Sequence, residues 1–195
     1  MNNYFIILAA GKGKRFNSKM PKQHVIYKNK PLFMHSINSA IKSKLFKKII
    51  LVLDKTSAFK KNKIVDVIKG GSERYLSSKK ALHHIRNKKV SNVFIHDAAR
   101  PNFSIKLLKN ILKNLKRNKA VVPIIKSKDS IKYKVKNQIF NLNRKNSLLT
   151  QTPQAFRFKE LYNLAINHKN KVSDEATIFI NNNIKVKFIP GENKN

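Results

Sequence analysis

The chain has 195 residues, 41% of them hydrophobic, so it is long enough for one domain with an apolar core and too apolar for a disordered class. It contains no cysteine, which excludes disulfides, thiolate metal sites and thiol nucleophiles. Lysine and arginine number 43 against nine acidic residues, a net charge of +34, and no apolar run in the sequence approaches the length of a membrane span.

The high positive charge has two interpretations. Clustered lysine and arginine would indicate binding to nucleic-acid phosphates, but here the lysines are spread over nearly every segment, together with many Asn and Ile. No RNA-recognition, zinc-finger or basic-zipper pattern accompanies them. We therefore interpret the charge as a lysine-biased composition of solvated faces, expecting no specific nucleic acid and no membrane as partner. A basic nucleic-acid-binding protein is the less favoured alternative.

Apolar, β-rich runs alternate with helix-period segments along the chain. The predicted strands are 4–9, 48–53, 64–68, 92–95, 120–124 and 184–189. The predicted helices are at about 32–45, 72–86, 104–118, 159–167 and 174–181. This alternation predicts an α/β fold with a mainly parallel twisted sheet and helices on both faces. The first apolar run is interpreted as a strand, not a signal peptide, so the expected location is cytoplasmic.

One segment departs from this alternation. Residues 129–143 (DSIKYKVKNQIFNLN) alternate polar with β-branched or aromatic side chains around a Lys-Asn turn. The pattern predicts a β-hairpin, an arm at about 129–144 that protrudes from a single domain spanning 1–195.

The loop after the first predicted strand reads LAAGKGKR. It is not a Walker A loop, because only one residue separates Gly11 from Gly13, and it lacks the third glycine of a dinucleotide loop. Two glycines after a strand let backbone N–H groups turn toward an anion, and Arg15 and Lys22 add full charges. The alternative is an ordinary strand-to-helix turn with solvated cations.

Two further polar stretches follow predicted strands. In HDAARP, Asp97 is placed to hold Mg²⁺ with nucleotide phosphate oxygens, and Arg100 is within reach of the same pocket. The alternative for Asp97 is a helix cap, and His96 is expected to be structural. GGSERYLSS, residues 70–78, offers glycines and hydroxyls at a helix start, which suits an anion or a base.

Taken together, the motifs resemble a known enzyme family. LAAGKGKR, PKQ, GGSER, HDAARP, DSIK, QTPQAF, SDEAT and PGE occur in the order seen in 2-C-methyl-D-erythritol 4-phosphate cytidylyltransferases, which belong to the non-mevalonate isoprenoid pathway. The resemblance covers essentially the whole chain. It implies a Rossmann-like nucleotidyltransferase fold and transfer of CMP from CTP to methylerythritol phosphate, with Mg²⁺ as cofactor and pyrophosphate as the second product.

The resemblance also implies roles for particular residues. Arg15 and Lys22 would stabilise the transition state and Asp97 would hold the metal. The residues around the cytidine nucleotide would be Ala9, Ala10, Gly11, Gly13, Gly71, Ser72 and Ser77. The residues that meet the sugar phosphate would be Arg100, Ser130, Lys132, Arg144, Thr152 and Ser173.

Some positions depart from the family pattern. Ser72, Ser130 and Ser173 stand where the family often has Asp or Thr, so each keeps a hydroxyl but changes the fit. The family's arm clasps a second subunit, which implies a homodimer here; a hairpin packed on its own domain is the alternative. A ribitol 5-phosphate cytidylyltransferase shares most of these motifs and stays open as the second reading of the substrate.

The last residues, PGENKN, end where the family continues. There the resemblance implies a further phosphate-binding lysine and a final helix, so the chain is expected to be truncated. Lys194 is the candidate substitute for the missing cation, and the strand at 184–189 is expected to lack part of its cover.

Overall fold

The computed structural model describes residues 1–11 and 21–195. Its strands are β1 (Asn3–Ala9), β2 (Ile26–Tyr27), β3 (Lys30–Pro31), β4 (Lys48–Leu53), β5 (Val65–Lys69), β6 (Asn92–Asp97), β7 (Ala120–Lys126), β8 (Ile131–Val135), β9 (Gln138–Leu142), β10 (Leu148–Thr150), β11 (Gln154–Arg157) and β12 (Lys187–Pro190). Its α-helices are α1 (Leu32–Ser43), α2 (Arg74–His84), α3 (Ile105–Leu115), α4 (Phe158–Asn167) and α5 (Glu175–Asn181). None of these helices combines the length and the apolar character needed to cross a bilayer.

The central sheet has the strand order β10-β7-β11-β6-β1-β4-β5, with β12 added beside β7. The strands β6, β1, β4 and β5 are parallel to one another, and β12 is parallel to β7. The strand β11 is antiparallel to both β6 and β7, so these two neighbours of β11 run in the same direction. The predicted α/β fold with a mainly parallel sheet is therefore confirmed, and β10 and β11 are its antiparallel members.

Strand β1 runs through the centre of the molecule and is buried along its whole length. Phe5 and Ile7 face the core formed with α1 and α3, whereas Ile6 and Leu8 face the core formed with α2, α4 and α5. A strand covered on both faces reads as a continuous apolar run, which explains the sequence YFIILAA. The two helical layers fix the position of the strand ends, where polar residues collect.

The antiparallel strands β10 and β11 were not among the predicted elements. They lie in LLTQTPQAFR, residues 148–157, where Pro153 follows a cis peptide bond and polar residues interrupt the apolar ones. A proline inside a short run argues against a strand, and the three-residue β10 and four-residue β11 are too short to show a period.

The predicted β-hairpin is confirmed by β8 and β9, which pair antiparallel in register from Ile131–Leu142 to Val135–Gln138. Nearly every side chain in it is exposed, including Tyr133, Ile139 and Phe140. The hairpin therefore forms a separate two-stranded sheet with apolar side chains in solvent.

Candidate active site

Several of the predicted site residues lie at the carboxyl ends of parallel strands. Leu8 of β1 pairs with Asp97 of β6, and Leu53 of β4 pairs with Lys69 of β5. The turns that follow β1, β5 and β6 are therefore on one edge of the sheet, which is where open α/β sheets bind their ligands. The structure thus brings 9–11, the 70–71 turn and Asp97 to the same edge of the sheet.

The end of β1 is held by a buried glutamine. Gln23, 5% exposed, donates from Nε2 to the carbonyl oxygen of Ala9 at 2.8 Å and to that of Gly11 at 2.7 Å. Lys22, its neighbour in a short 3₁₀ helix (Lys22–His24), is exposed. Gln23 thereby fixes the base of the predicted anion loop beside this cation, while Gly13 and Arg15 lie outside the described residues.

The turn between β5 and α2 packs closely against β1. A Cβ on Gly70 would lie 2.3 Å from Ala10 Cβ, and a Cβ on Gly71 would lie 2.5 Å from Leu76 Cβ, so both positions require glycine. The Gly71 N–H donates to the Ser77 hydroxyl at 3.0 Å. Ser77 is buried and Ser72 exposed, so of the two predicted nucleotide-binding hydroxyls only that of Ser72 faces solvent.

Asp97 ends β6 within a group of charges. The Arg74 guanidinium donates from Nε to Asp97 Oδ1 at 2.9 Å and from Nη1 to both carboxylate oxygens of Glu175, at 3.0 and 3.1 Å. Arg100 Nε lies 3.9 Å from Asp97 Oδ2. Burial lowers the pKa of Arg74, but attraction to Glu175 and Asp97 outweighs it and holds that pKa above its usual value.

His96 is fully buried next to Asp97. Its Nδ1 lies 3.0 Å from the Thr152 hydroxyl and its Nε2 lies 3.2 Å from the Ser36 hydroxyl. Burial lowers the pKa of His96 to about 4, so the ring is neutral at pH 7. The Thr152 hydroxyl also accepts from the Asp97 N–H at 3.2 Å, so Thr152 positions Asp97 in this structure. His96 is structural, as predicted.

A second polar group precedes α5. Asp174 accepts from the Gln154 amide at 2.9 Å, from the Thr150 hydroxyl at 3.1 Å and from the Thr177 N–H at 3.0 Å. Burial raises the pKa of Asp174, but these hydrogen bonds outweigh it and leave that pKa below its usual value. Ser173, a predicted sugar-phosphate residue, is exposed beside this anchored aspartate.

The remaining predicted substrate residues lie on the arm. Lys132 donates to the Asn141 side chain across the hairpin, and Arg144 donates from Nη1 to the carbonyl oxygen of Lys128 at 3.1 Å. Ser130, Lys132 and Arg144 are all exposed. The contacts of Lys132 and Arg144 are thus with other residues of the arm segment.

The last residues fold back onto the site. Gln151 donates to the carbonyl oxygens of Glu192 and Asn195, at 2.8 and 3.1 Å, and the Glu192 carboxylate accepts from the Ser104 N–H at the start of α3. The Asn195 amide donates to the Thr152 carbonyl oxygen at 2.7 Å. Ile189 of β12 is buried, so the core keeps contact with this end of the chain.

Sequence reasoning did not assign roles to Gln23, Arg74, Gln154 or Glu175. All four lie inside quoted motifs, PKQ, GGSER, QTPQAF and SDEAT, so the motifs marked the right segments. Arg74 and Glu175 are 101 positions apart in the sequence. A local sequence pattern cannot predict a contact over that separation.

Comparison with known proteins agrees with this geometry. The family model described as 2-C-methyl-D-erythritol 4-phosphate cytidylyltransferase (IspD) matches residues 4–195. A bifunctional IspD/IspF enzyme of Pelagibacter ubique is 46% identical over the whole chain and 54% of its own length. The cytidylyltransferase of Lachnoclostridium phytofermentans is 33% identical over 89% of this chain and 80% of its own.

Solved structures agree as well. The IspD crystal structure from Francisella tularensis superposes with a TM-score of 0.86 at 29% identity, over 100% of this chain and 93% of that one. The fold, the family model and these relatives together identify the class of protein as a nucleotidyltransferase. The chain belongs to the family of 2-C-methyl-D-erythritol 4-phosphate cytidylyltransferases, enzymes of isoprenoid biosynthesis, which confirms the resemblance found in the sequence. It spans 54% of the length of the bifunctional relative.

Proposed function

We propose that this site transfers the CMP part of CTP to 2-C-methyl-D-erythritol 4-phosphate and releases pyrophosphate. The observation that carries the proposal is the meeting of three strand ends at one sheet edge: the open start of the loop at Gly11, the glycine turn at 70–71 and Asp97. Among the residues that the structure describes, none lies within 4 Å of a Cβ built on Gly11, which supports approach of a nucleotide to the backbone there.

The reaction requires no nucleophile from the protein. An oxygen of the sugar phosphate attacks the α-phosphorus of CTP while the bond to the β-phosphate breaks, and pyrophosphate takes the electron pair. The protein has to hold two polyanions in line and offset the charge on the α-phosphoryl oxygens. Lys22 and Arg15 are the proposed cations at the α-phosphoryl group, and Arg100 is proposed to bind the sugar phosphate.

Magnesium is the proposed cofactor, and Asp97 fits it by donor chemistry. A carboxylate oxygen is the hard ligand that Mg²⁺ prefers, and the metal takes its other ligands from phosphates and water. Asp97 Oδ2 is 3.9 Å from Arg100 Nε, an ion-pair distance that exceeds hydrogen-bond range. No group of three or more His, Cys, Asp or Glu side chains that could hold a metal ion is found among the described residues. When bound, Mg²⁺ would neutralise phosphate charge.

The sugar phosphate is proposed to bind between Ser173 and the arm, with Ser130, Lys132 and Arg144 contributed by a second subunit. The arm's exposed apolar side chains support a homodimer, because Ile139 is 67% exposed and Tyr133 54% exposed on an isolated hairpin. A cytoplasmic location remains a prediction.

One incubation tests the activity. The protein is mixed with CTP, Mg²⁺ and methylerythritol phosphate, and pyrophosphate release is followed. The expected result is release that requires all three; ribitol 5-phosphate in place of the methylerythritol compound should give little. Faster release with ribitol 5-phosphate would contradict the substrate assignment, and no release with either would contradict the activity.

A further inference from the structure

Arg74 forms ion pairs with both Asp97 and Glu175. It is the first residue of α2, Asp97 is the last of β6 and Glu175 is the first of α5, so one guanidinium joins three elements at the site. Glu175 is 2% exposed, and its two oxygens both accept from Arg74 Nη1. A fork with donors in fixed directions suits this task better than an ammonium group would.

The contact with Arg74 also determines which oxygen of Asp97 is hydrogen-bonded. Arg74 Nε donates a hydrogen bond to Asp97 Oδ1. Arg100 Nε lies 3.9 Å from Asp97 Oδ2, which is beyond hydrogen-bond distance. One positive and two negative groups leave a net charge of −1 on the trio. The buried Glu175 therefore offsets much of the Arg74 charge, and the hydrogen bond from Arg74 is directed to Asp97 Oδ1 and away from Oδ2.

We propose that Arg74 is a positioning residue for the metal–nucleotide site: it holds Asp97 Oδ1 against the buried Glu175, so that Oδ2 is oriented for the divalent cation that accompanies CTP. This inference rests on the metal role proposed for Asp97. Groups that orient metal ligands from behind typically change metal affinity by about 10- to 100-fold when they are removed.

The test separates orientation from charge. The double variant Arg74→Met/Glu175→Met removes one positive and one negative group, so the net charge of the three positions, Asp97 included, stays −1. Replacing a buried ion pair by apolar residues of similar size is often tolerated, whereas removing one partner leaves an unpaired charge. Binding of Mn²⁺ in the presence of CTP, measured by water-proton relaxation, should weaken by about tenfold in this variant. Its melting temperature shows whether the fold is retained.

A matched control is close by. Lys171 and Glu73 form another Lys/Arg–Glu pair, 2.9 Å apart and exposed, and Lys171→Met/Glu73→Met should leave Mn²⁺ affinity unchanged. Unchanged affinity in a folded Arg74→Met/Glu175→Met variant would overturn the inference. If that variant does not fold, the Mn²⁺ affinity of Arg74→Lys is measured instead, because lysine keeps the positive charge but lacks the two-directional guanidinium. Unchanged affinity in folded Arg74→Lys would likewise overturn the inference.

Asp97→Asn distinguishes the two levels of the proposal. Loss of Mn²⁺ binding in Asp97→Asn together with wild-type binding in the Arg74 variants would contradict the positioning role of Arg74 and leave the metal role of Asp97 standing. Wild-type Mn²⁺ binding in Asp97→Asn would instead remove the metal assignment on which that role depends.

Discussion

Lys22 and Gln23 are chain neighbours with opposite environments. Gln23 is buried and holds the backbone of the loop base, whereas Lys22 is exposed on the same short helix. Lys22→Ala should therefore lower kcat on the order of a hundredfold, as loss of a preorganised cation at the reacting phosphate does, with little change in melting temperature. Steady-state rates and thermal unfolding measure the two effects.

The control for this variant is Lys28→Ala, which removes a cation from an exposed position in the following turn. Because the chain carries a charge of +34, general attraction of anions could imitate a specific role. A similar loss of kcat in both variants would mean that Lys22 acts only through this overall charge.

His96 makes the stability of the protein depend on pH. Its folded pKa is about 4 against 6.5 in an unfolded chain, so the unfolded state binds more protons between these values. Stability from this group is present above pH 6.5 and is lost as the pH falls toward 4. Between pH 7 and pH 5 we expect a loss of about 2 kcal/mol from His96.

Urea unfolding at pH 7 and pH 5 measures this loss. His96→Gln should have lower stability at pH 7 but a smaller drop between the two pH values, because the titrating group is gone. His83→Gln, at an exposed position, should keep the wild-type drop. An equal drop in His96→Gln and wild type would assign the pH dependence to other residues.

The sequence predicted the segments of the site better than the contacts within it. Asp97, Gly71 and the loop at 9–11 follow strands, and strand ends meet at one edge by topology alone. Thr152 was assigned to substrate, yet its hydroxyl holds His96 and the Asp97 backbone. These contacts of Thr152 depend on how segments distant in sequence pack together. Residue type and spacing alone do not predict such packing.

At the scale of elements, the β5–α2 turn and the end of β1 form one close contact. Gly70→Ala would place a Cβ 2.3 Å from Ala10 Cβ, so backbone must shift, and we expect a loss of about 2 kcal/mol of unfolding free energy. Gly11→Ala offers a matched comparison, because its Cβ would meet no atom of 1–11 or 21–195 within 4 Å.

Gly11→Ala should keep the wild-type stability and weaken CTP binding, since the added methyl group occupies space proposed for the nucleotide. Chemical unfolding and titration calorimetry with CTP measure the two properties. Equal destabilisation by both substitutions would show that Gly11 is packed as closely as Gly70. Wild-type CTP affinity in Gly11→Ala would move the nucleotide away from this loop.

Element prediction succeeded where burial gives a strand a regular pattern. β1 and β4 have apolar residues at nearly every position because helices cover both faces, and α3 shows its apolar side in Leu107, Leu108 and Ile111. β11 enters the sheet antiparallel between β6 and β7 with four residues, after a proline. Its place is determined by the neighbouring strands, so no local pattern predicted it.

At the scale of the whole molecule, the exposed apolar side chains of the arm have no cover within the described part of a single chain. A two-stranded hairpin is marginal in water, and this one exposes Tyr133, Ile139 and Phe140. A second chain that covers these side chains would stabilise the hairpin and carry Arg144 to a neighbouring site. Sedimentation should therefore give the mass of a dimer, and Ile139→Lys should shift the population toward monomer.

Mixing two inactive variants tests whether the sites are shared. Lys22→Ala and Arg144→Ala subunits each lack one proposed group, so each homodimer should be nearly inactive. If the arm reaches across, a mixed dimer contains one site with both defects and one with neither. Random exchange makes about half of the dimers mixed, so the mixture should recover about a quarter of the wild-type activity. The variants should be unfolded and refolded together so that subunits exchange. A mixed sample that shows only the average of the two inactive proteins would place Lys22 and Arg144 of the same chain in one site.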